Sequence, residues 1–176
     1  MTIIITMSSA YAFWMLVLLL KQVFDHPVAL GNFQSVSWRA HGVPHQMVIQ
    51  GAICEIDTKK LATDLKAICE SQITFFDPDK SKAPFHRYCF IVNAVGDGYG
   101  GLEHRDSTVL LCKRDDLPYR GRDYSSDTAY QDFLGLCSHE YFHTWNVKRI
   151  KPAVFADYDL RQESYTSLLW LFEGFT

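Results

Sequence analysis

The hydrophobic patterning predicts an α+β fold with a mostly antiparallel sheet packed on helices. Three observations carry that expectation. Apolar runs of strand length come first as one pair and later as a second pair. A segment with apolar residues at helical spacing separates the pairs. Two further helical patterns close the chain, giving the order strands, helix, strands, helix, helix.

Each element has its own signal. "FQSVSWRAHG" (residues 33–42) and "HQMVIQG" (residues 45–51) read as two short strands, and the turn residues Gly42, Val43 and Pro44 between them suggest a hairpin. Asp57 and Thr58 can cap a helix that begins near Lys59. Leu61, Leu65, Ile68 and Ile73, with Ala62 and Cys69, mark its apolar face, and Asp77 followed by Pro78 should stop it. "RYCFIVNAV" (residues 87–95) and "STVLLCK" (residues 107–113) are of strand length, separated by the glycine-rich "GDGYGG" of residues 96–101. After a polar loop at 114–127, a long helix is expected over about 128–147, with Phe133, Leu136, Tyr141 and Val147 on its apolar side and Pro152 beyond its end. A last helix should begin near Leu160 and run to the end of the sequence.

Composition narrows the function classes. With 48% hydrophobic and 21% charged residues in 176, the chain is globular rather than disordered. A net charge of -3 offers no basic footprint, so nucleic acid is excluded as an expected partner. Five cysteines, none in C-x-x-C spacing and several inside apolar runs, read as free thiols of a reducing compartment. The cytoplasm is therefore the expected location. Residues 2–20 carry no charge and include the apolar "AYAFWMLVLLL". They are the one stretch that could reach a membrane or an export route, but no basic residue precedes the run and no cleavage site follows it.

The chemistry-bearing stretch is "SHEYFHTWNVKRIKP", residues 138–152. His139 and His143 stand at i and i+4, on one helix face and one turn apart. Two neutral imidazoles so placed can both bind one zinc ion. Glu140 projects about 100° around from His139, where it can take a proton from water at the metal without ligating it. A solvated surface helix could carry the same triplet. The apolar bulk of Leu134, Leu136, Tyr141 and Phe142 argues instead for a buried helix, in which such groups need partners.

A catalytic zinc takes a third protein ligand and leaves one position open. Glu163 and Glu173 are the downstream candidates, ten residues apart and unable to serve one metal together. Glu163 can be a first-turn acid favoured by the helix dipole. Glu173 lies in "LLWLFEGFT", where a carboxylate among Leu168, Leu169, Trp170, Leu171 and Phe172 is costly unless paired or metal-bound. The physics favours Glu173, and Gly174 beside it would let another element approach closely.

Together with "VGDGYGGLEHRDST" upstream, these two motifs resemble the glycyl aminopeptidase family of zinc metallopeptidases, peptidase family M61, among the thermolysin-like gluzincins. The resemblance covers about residues 24–176. It implies zinc as the cofactor, His139, His143 and Glu173 as its ligands, and Glu140 as general base. It also implies that "GGLEH" lines the cleft on an edge strand, with Gly100 and Gly101 admitting the substrate backbone and Glu103 holding the substrate's free α-amine. The local alternative is that Glu103 pairs with Arg105 or another nearby cation. His104 could also lie in the cleft. Tyr141, Phe142 and Trp145 are expected in the core, and Lys148, Arg149 and Lys151 as compensation for the helix dipole.

By that resemblance, residues 24–176 form the first part of a thermolysin-like catalytic domain, preceded by an apolar segment at 1–23 of undefined role. The family's helical subdomain beyond the third ligand, and the PDZ domain common in its members, are expected to be absent from this chain. The implied activity is zinc-dependent removal of a small N-terminal residue, glycine or alanine, from a peptide with a free N-terminus. The alternative is an inactive fragment or pseudoenzyme that acts as a peptide-binding module. An endopeptidase is the third reading.

Overall fold

The computed structural model describes residues 25–124, 128–156 and 161–176. The apolar stretch at 2–20 and the expected helix start at Leu160 lie outside them. Among the described residues no helix is long and apolar enough to cross a membrane.

Among the described residues five strands form one sheet: β1 (Gln34–Ala40), β2 (Val43–Gln50), β3 (Tyr88–Val95), β4 (Gly100–Glu103) and β5 (Ser107–Lys113), in the spatial order β1-β2-β3-β5-β4. The first two make the expected hairpin. Its turn falls at His41 and Gly42, with φ of +44° and +80°, rather than at Gly42, Val43 and Pro44. Both central positions of a tight hairpin turn need positive φ, which glycine adopts freely and proline cannot. Val43 and Pro44 accordingly pair with Ala40 and Arg39 in the strands.

The α+β class stands, and the antiparallel expectation holds at the two edges, β1 with β2 and β4 with β5. The two central pairings are parallel. Helix α1 (Thr58–Phe76) carries the chain from β2 to β3 and so permits a parallel neighbour. β5 then inserts between β3 and the short edge strand β4.

Side chains alternate across the strands. Val36, Trp38, Ala40, Met47, Ile49, Phe90, Val92, Ala94, Leu110 and Cys112 form the buried face. Helices α1 and α2 (Thr128–Phe142) pack on it side by side, α1 against β1 and α2 against β4 and β5. Helix α1 begins where its cap predicts: the Asp57 carboxylate accepts from the Lys60 N–H at 3.0 Å. Leu61, Leu65, Cys69 and Ile73 are its buried stripe. All five cysteines are free; Cys54 is exposed.

Helix α2 ends at Phe142, five residues before the expected position. The N–H groups of Thr144 and Trp145 bond three residues back, to Tyr141 and Phe142, which tightens and closes the helix. Arg149 then turns its guanidinium onto the Thr144, Arg105 and Pro84 carbonyls at 2.6, 2.9 and 3.1 Å. Its role is thus a clamp across three loops rather than diffuse dipole compensation. The expected last helix shrinks to one π-helical turn, Trp170–Gly174, preceded by irregular chain from 161.

Candidate metal centre

The site forms where the end of α2 meets the terminal turn. His139 and Glu140 occupy the last turn of α2; His143 follows it, with its N–H still on the His139 carbonyl at 3.3 Å. Tyr141, between them, is fully buried, and its hydroxyl meets His45 Nε2 at 2.9 Å. The His45 Nδ1–H is committed to the Val43 carbonyl at 2.9 Å, so Nε2 accepts from the tyrosine. This bond to β2, with Trp145 packed on Phe76 of α1, fixes the rotation of α2 and hence the direction of the two imidazoles.

His143 is 2% exposed. Its Nδ1–H donates to the Asn146 carbonyl at 2.8 Å, which leaves the Nε2 lone pair free. The Nε2 atoms of His139 and His143 lie 3.0 Å apart, and Glu173 Oε2 lies 3.3 and 3.5 Å from them. Ligands about 2.0–2.1 Å from a tetrahedral ion are about 3.3–3.4 Å from one another. The spacing of these three atoms therefore fits one such ion. Burial and His143 lower the pKa of His139, with Glu173 opposing them. Neutral imidazole is the form that binds metal.

Glu140 is buried, and its Oε2 has no hydrogen-bond partner among the described residues. Burial first, then the Glu103 and Glu173 charges, push its carboxyl pKa up to about 7, while Lys148 pulls it down. Edge strand β4 presses directly on this carboxylate: a Cβ on Gly101 would stand 2.3 Å from Glu140 Oε1. Only glycine permits that approach. Gly100, with φ of +156°, has open space around its Cβ position.

Glu103, at the end of β4, faces the same region; its charge acts on both His139 and Glu140. Its cation is Lys148, at 3.7 Å, rather than Arg105. Arg105 turns to Asp25, with its N–H 3.1 Å and its Nε 3.9 Å from that carboxylate. Lys148 lies 3.6 Å from Asp25 as well. His104 is buried, its Nδ1 3.1 Å from the Leu102 carbonyl.

His139, Glu140, His143, Glu173, Gly101 and Glu103 are thus brought together. Glu163 is exposed, bonded to the Tyr165 hydroxyl, and outside the cluster. The burial argument for Glu173 is not met: its side chain is 50% exposed, as are large parts of Leu169 and Trp170. Phe172 alone of that turn is buried. The single-turn geometry of the segment, rather than an apolar enclosure, aims the carboxylate. Among the described residues a Cβ on Gly174 would meet nothing within 4 Å, so none of them packs closely there. Asn146 went unnoticed in the sequence. Its only signal is an asparagine three residues past His143, at a position where the apolar pattern still reads as helix.

Comparison with known proteins finds likeness over part of the chain. Residues 132–176 match the model of the M61 glycyl aminopeptidase family. The resemblance read from the motifs holds over that segment, and it is to a peptidase family. A crystal structure of an aminopeptidase N family protein from Idiomarina loihiensis superposes with a TM-score of 0.75 at 46% identity, over 82% of this chain and 24% of that one. The chain therefore spans about a quarter of that relative's length. No curated protein matches the chain.

Proposed function

We propose that this chain carries the centre of a zinc-dependent aminopeptidase. The observation that carries the reading is the convergence of His139 Nε2, His143 Nε2 and Glu173 Oε2 at spacings that suit one tetrahedral ion. His139, His143 and Glu173 would hold the zinc, which would supply a Lewis acid beside the scissile carbonyl. Glu140 is placed to take a proton from water and return it to the departing amine. Gly101 keeps β4 close enough for the strand to line the cleft. Glu103 receives the substrate's terminal ammonium, with Lys148 as its counter-ion until then. The match to a glycyl aminopeptidase family suggests glycine as the preferred N-terminal residue, with alanine as the next small residue to try.

The test is hydrolysis of glycyl and alanyl amides beside their N-acetylated forms. Free-amine substrates should be cleaved, blocked ones rejected, and Glu140→Gln should remove the activity while zinc stays bound. Equal cleavage of blocked substrates would make the protein an endopeptidase. The exposure of the Glu173 carboxylate favours one second reading, a chain that holds zinc and peptide without turnover. Stoichiometric zinc with no hydrolysis of either substrate would select it.

A further inference from the structure

The two halves of the metal centre come from segments far apart in sequence, and one residue touches both. Asn146 lies in the turn after α2. Its N–H donates to the Phe142 carbonyl at 3.1 Å, which seats it under the helix end. Its own carbonyl takes the His143 Nδ1–H at 2.8 Å. On the other side, its Nδ2 donates to Thr176 Oγ1 at 3.1 Å. The Thr176 hydroxyl donates in turn to the Phe172 carbonyl, next to Glu173. The chain beyond Asn146 is held in an unfavourable shape: Val147 has φ of +145°, rare for a β-branched residue. Such a conformation persists where surrounding contacts over-determine it.

The segment that supplies Glu173 needs such a tie. It is a single turn closed by the Leu171 and Phe172 N–H groups on the Leu168 carbonyl. Phe172 is its one buried residue, and the carboxylate itself is half exposed. A lone turn with little buried surface does not hold its shape unaided.

We propose that Asn146 is a positioning residue that assembles the metal centre: its main chain orients His143, and its side-chain amide, through Thr176, holds the turn that presents Glu173. The inference rests on the zinc reading above. Second partners of this kind govern metal affinity although they never touch the ion.

The experiment measures zinc affinity by competition with a chromophoric chelator, and the visible spectrum of the Co2+-loaded chain, for the unaltered protein and for Asn146→Ala, Thr176→Val, Thr176→Ser, Glu173→Ala and Asn146→Ala/Glu173→Ala. Thermal melts of the metal-free forms check folding. Asn146→Ala and Thr176→Val should each weaken zinc binding by about 10–100-fold. Thr176→Ser, which keeps the hydroxyl, should bind as the unaltered chain does. Because Asn146 acts through Glu173, its substitution should add little in the Glu173→Ala background. The Co2+ spectrum of Asn146→Ala should move toward that of Glu173→Ala. Unchanged affinity in Asn146→Ala and Thr176→Val, beside a clear loss in Glu173→Ala, overturns the role of Asn146 and leaves the zinc reading standing. Additive losses in the double variant also overturn it, since they mean a structural effect independent of Glu173. An unaltered chain that binds no zinc overturns both.

Discussion

At Gly101 the absence of a side chain is what lets an edge strand lie on Glu140. Adding a methyl group would place carbon 2.3 Å from Oε1, so either β4 or the carboxylate must move. Displacement of a reacting group by about 1 Å costs on the order of 100-fold in rate. Gly101→Ala should therefore lose about that much turnover while retaining zinc and fold, as read by hydrolysis, elemental analysis and thermal melt. Glu103→Gln tests the amine anchor differently: KM for free-amine substrates should rise while zinc content is unchanged. At this scale His139, Glu140 and His143 were legible in the sequence, because a contiguous motif on one helix carries its own geometry. Glu173 was legible by its motif but not by burial, since its apolar neighbours leave the carboxylate half exposed. Asn146 and the Lys148 pairing were not legible, because they depend on where the chain goes after the helix.

Among the elements, α2 is the one that must not rotate, and three contacts oppose rotation: Tyr141 on His45, Trp145 on Phe76, and Arg149 across three carbonyls. Arg149→Ala removes charge-assisted bonds from carbonyls that close the helix and join it to two loops. It should destabilise the fold by roughly 2–4 kcal/mol, seen as a lower denaturant midpoint at unchanged slope. Helix α1 and four of the strands were largely readable, because capping at Asp57 and alternation along the strands are local signals, whereas β4 was expected only through the family resemblance. The early end of α2 was not. Val147 continues an apolar helical spacing, yet it sits past the last turn, where the Asn146 carbonyl is given to His143 instead of to the helix. Parallel pairing in the sheet centre was equally hidden, since a strand's own pattern does not record the direction of its neighbour.

For the molecule as a whole, the sheet's buried face, α1 and α2 make one core, and His45 is a buried imidazole packed against it. Burial lowers its pKa below 6.5, with the Val43 carbonyl opposing. The folded chain thus resists a proton that the unfolded chain accepts. Stability contributed by neutral His45 is complete above pH 6.5 and is lost as pH falls below it. His45→Gln, which can still accept from Tyr141, should flatten this acid-side loss in urea titrations between about pH 6.5 and 5.

On the proposed reading this core presents one zinc site with Glu173 as its third ligand. Elemental analysis of the purified chain decides it. About one zinc per chain is expected, lost in Glu173→Ala and retained in Glu163→Ala. A chain that carries no zinc, or one whose zinc survives Glu173→Ala undiminished, would contradict it.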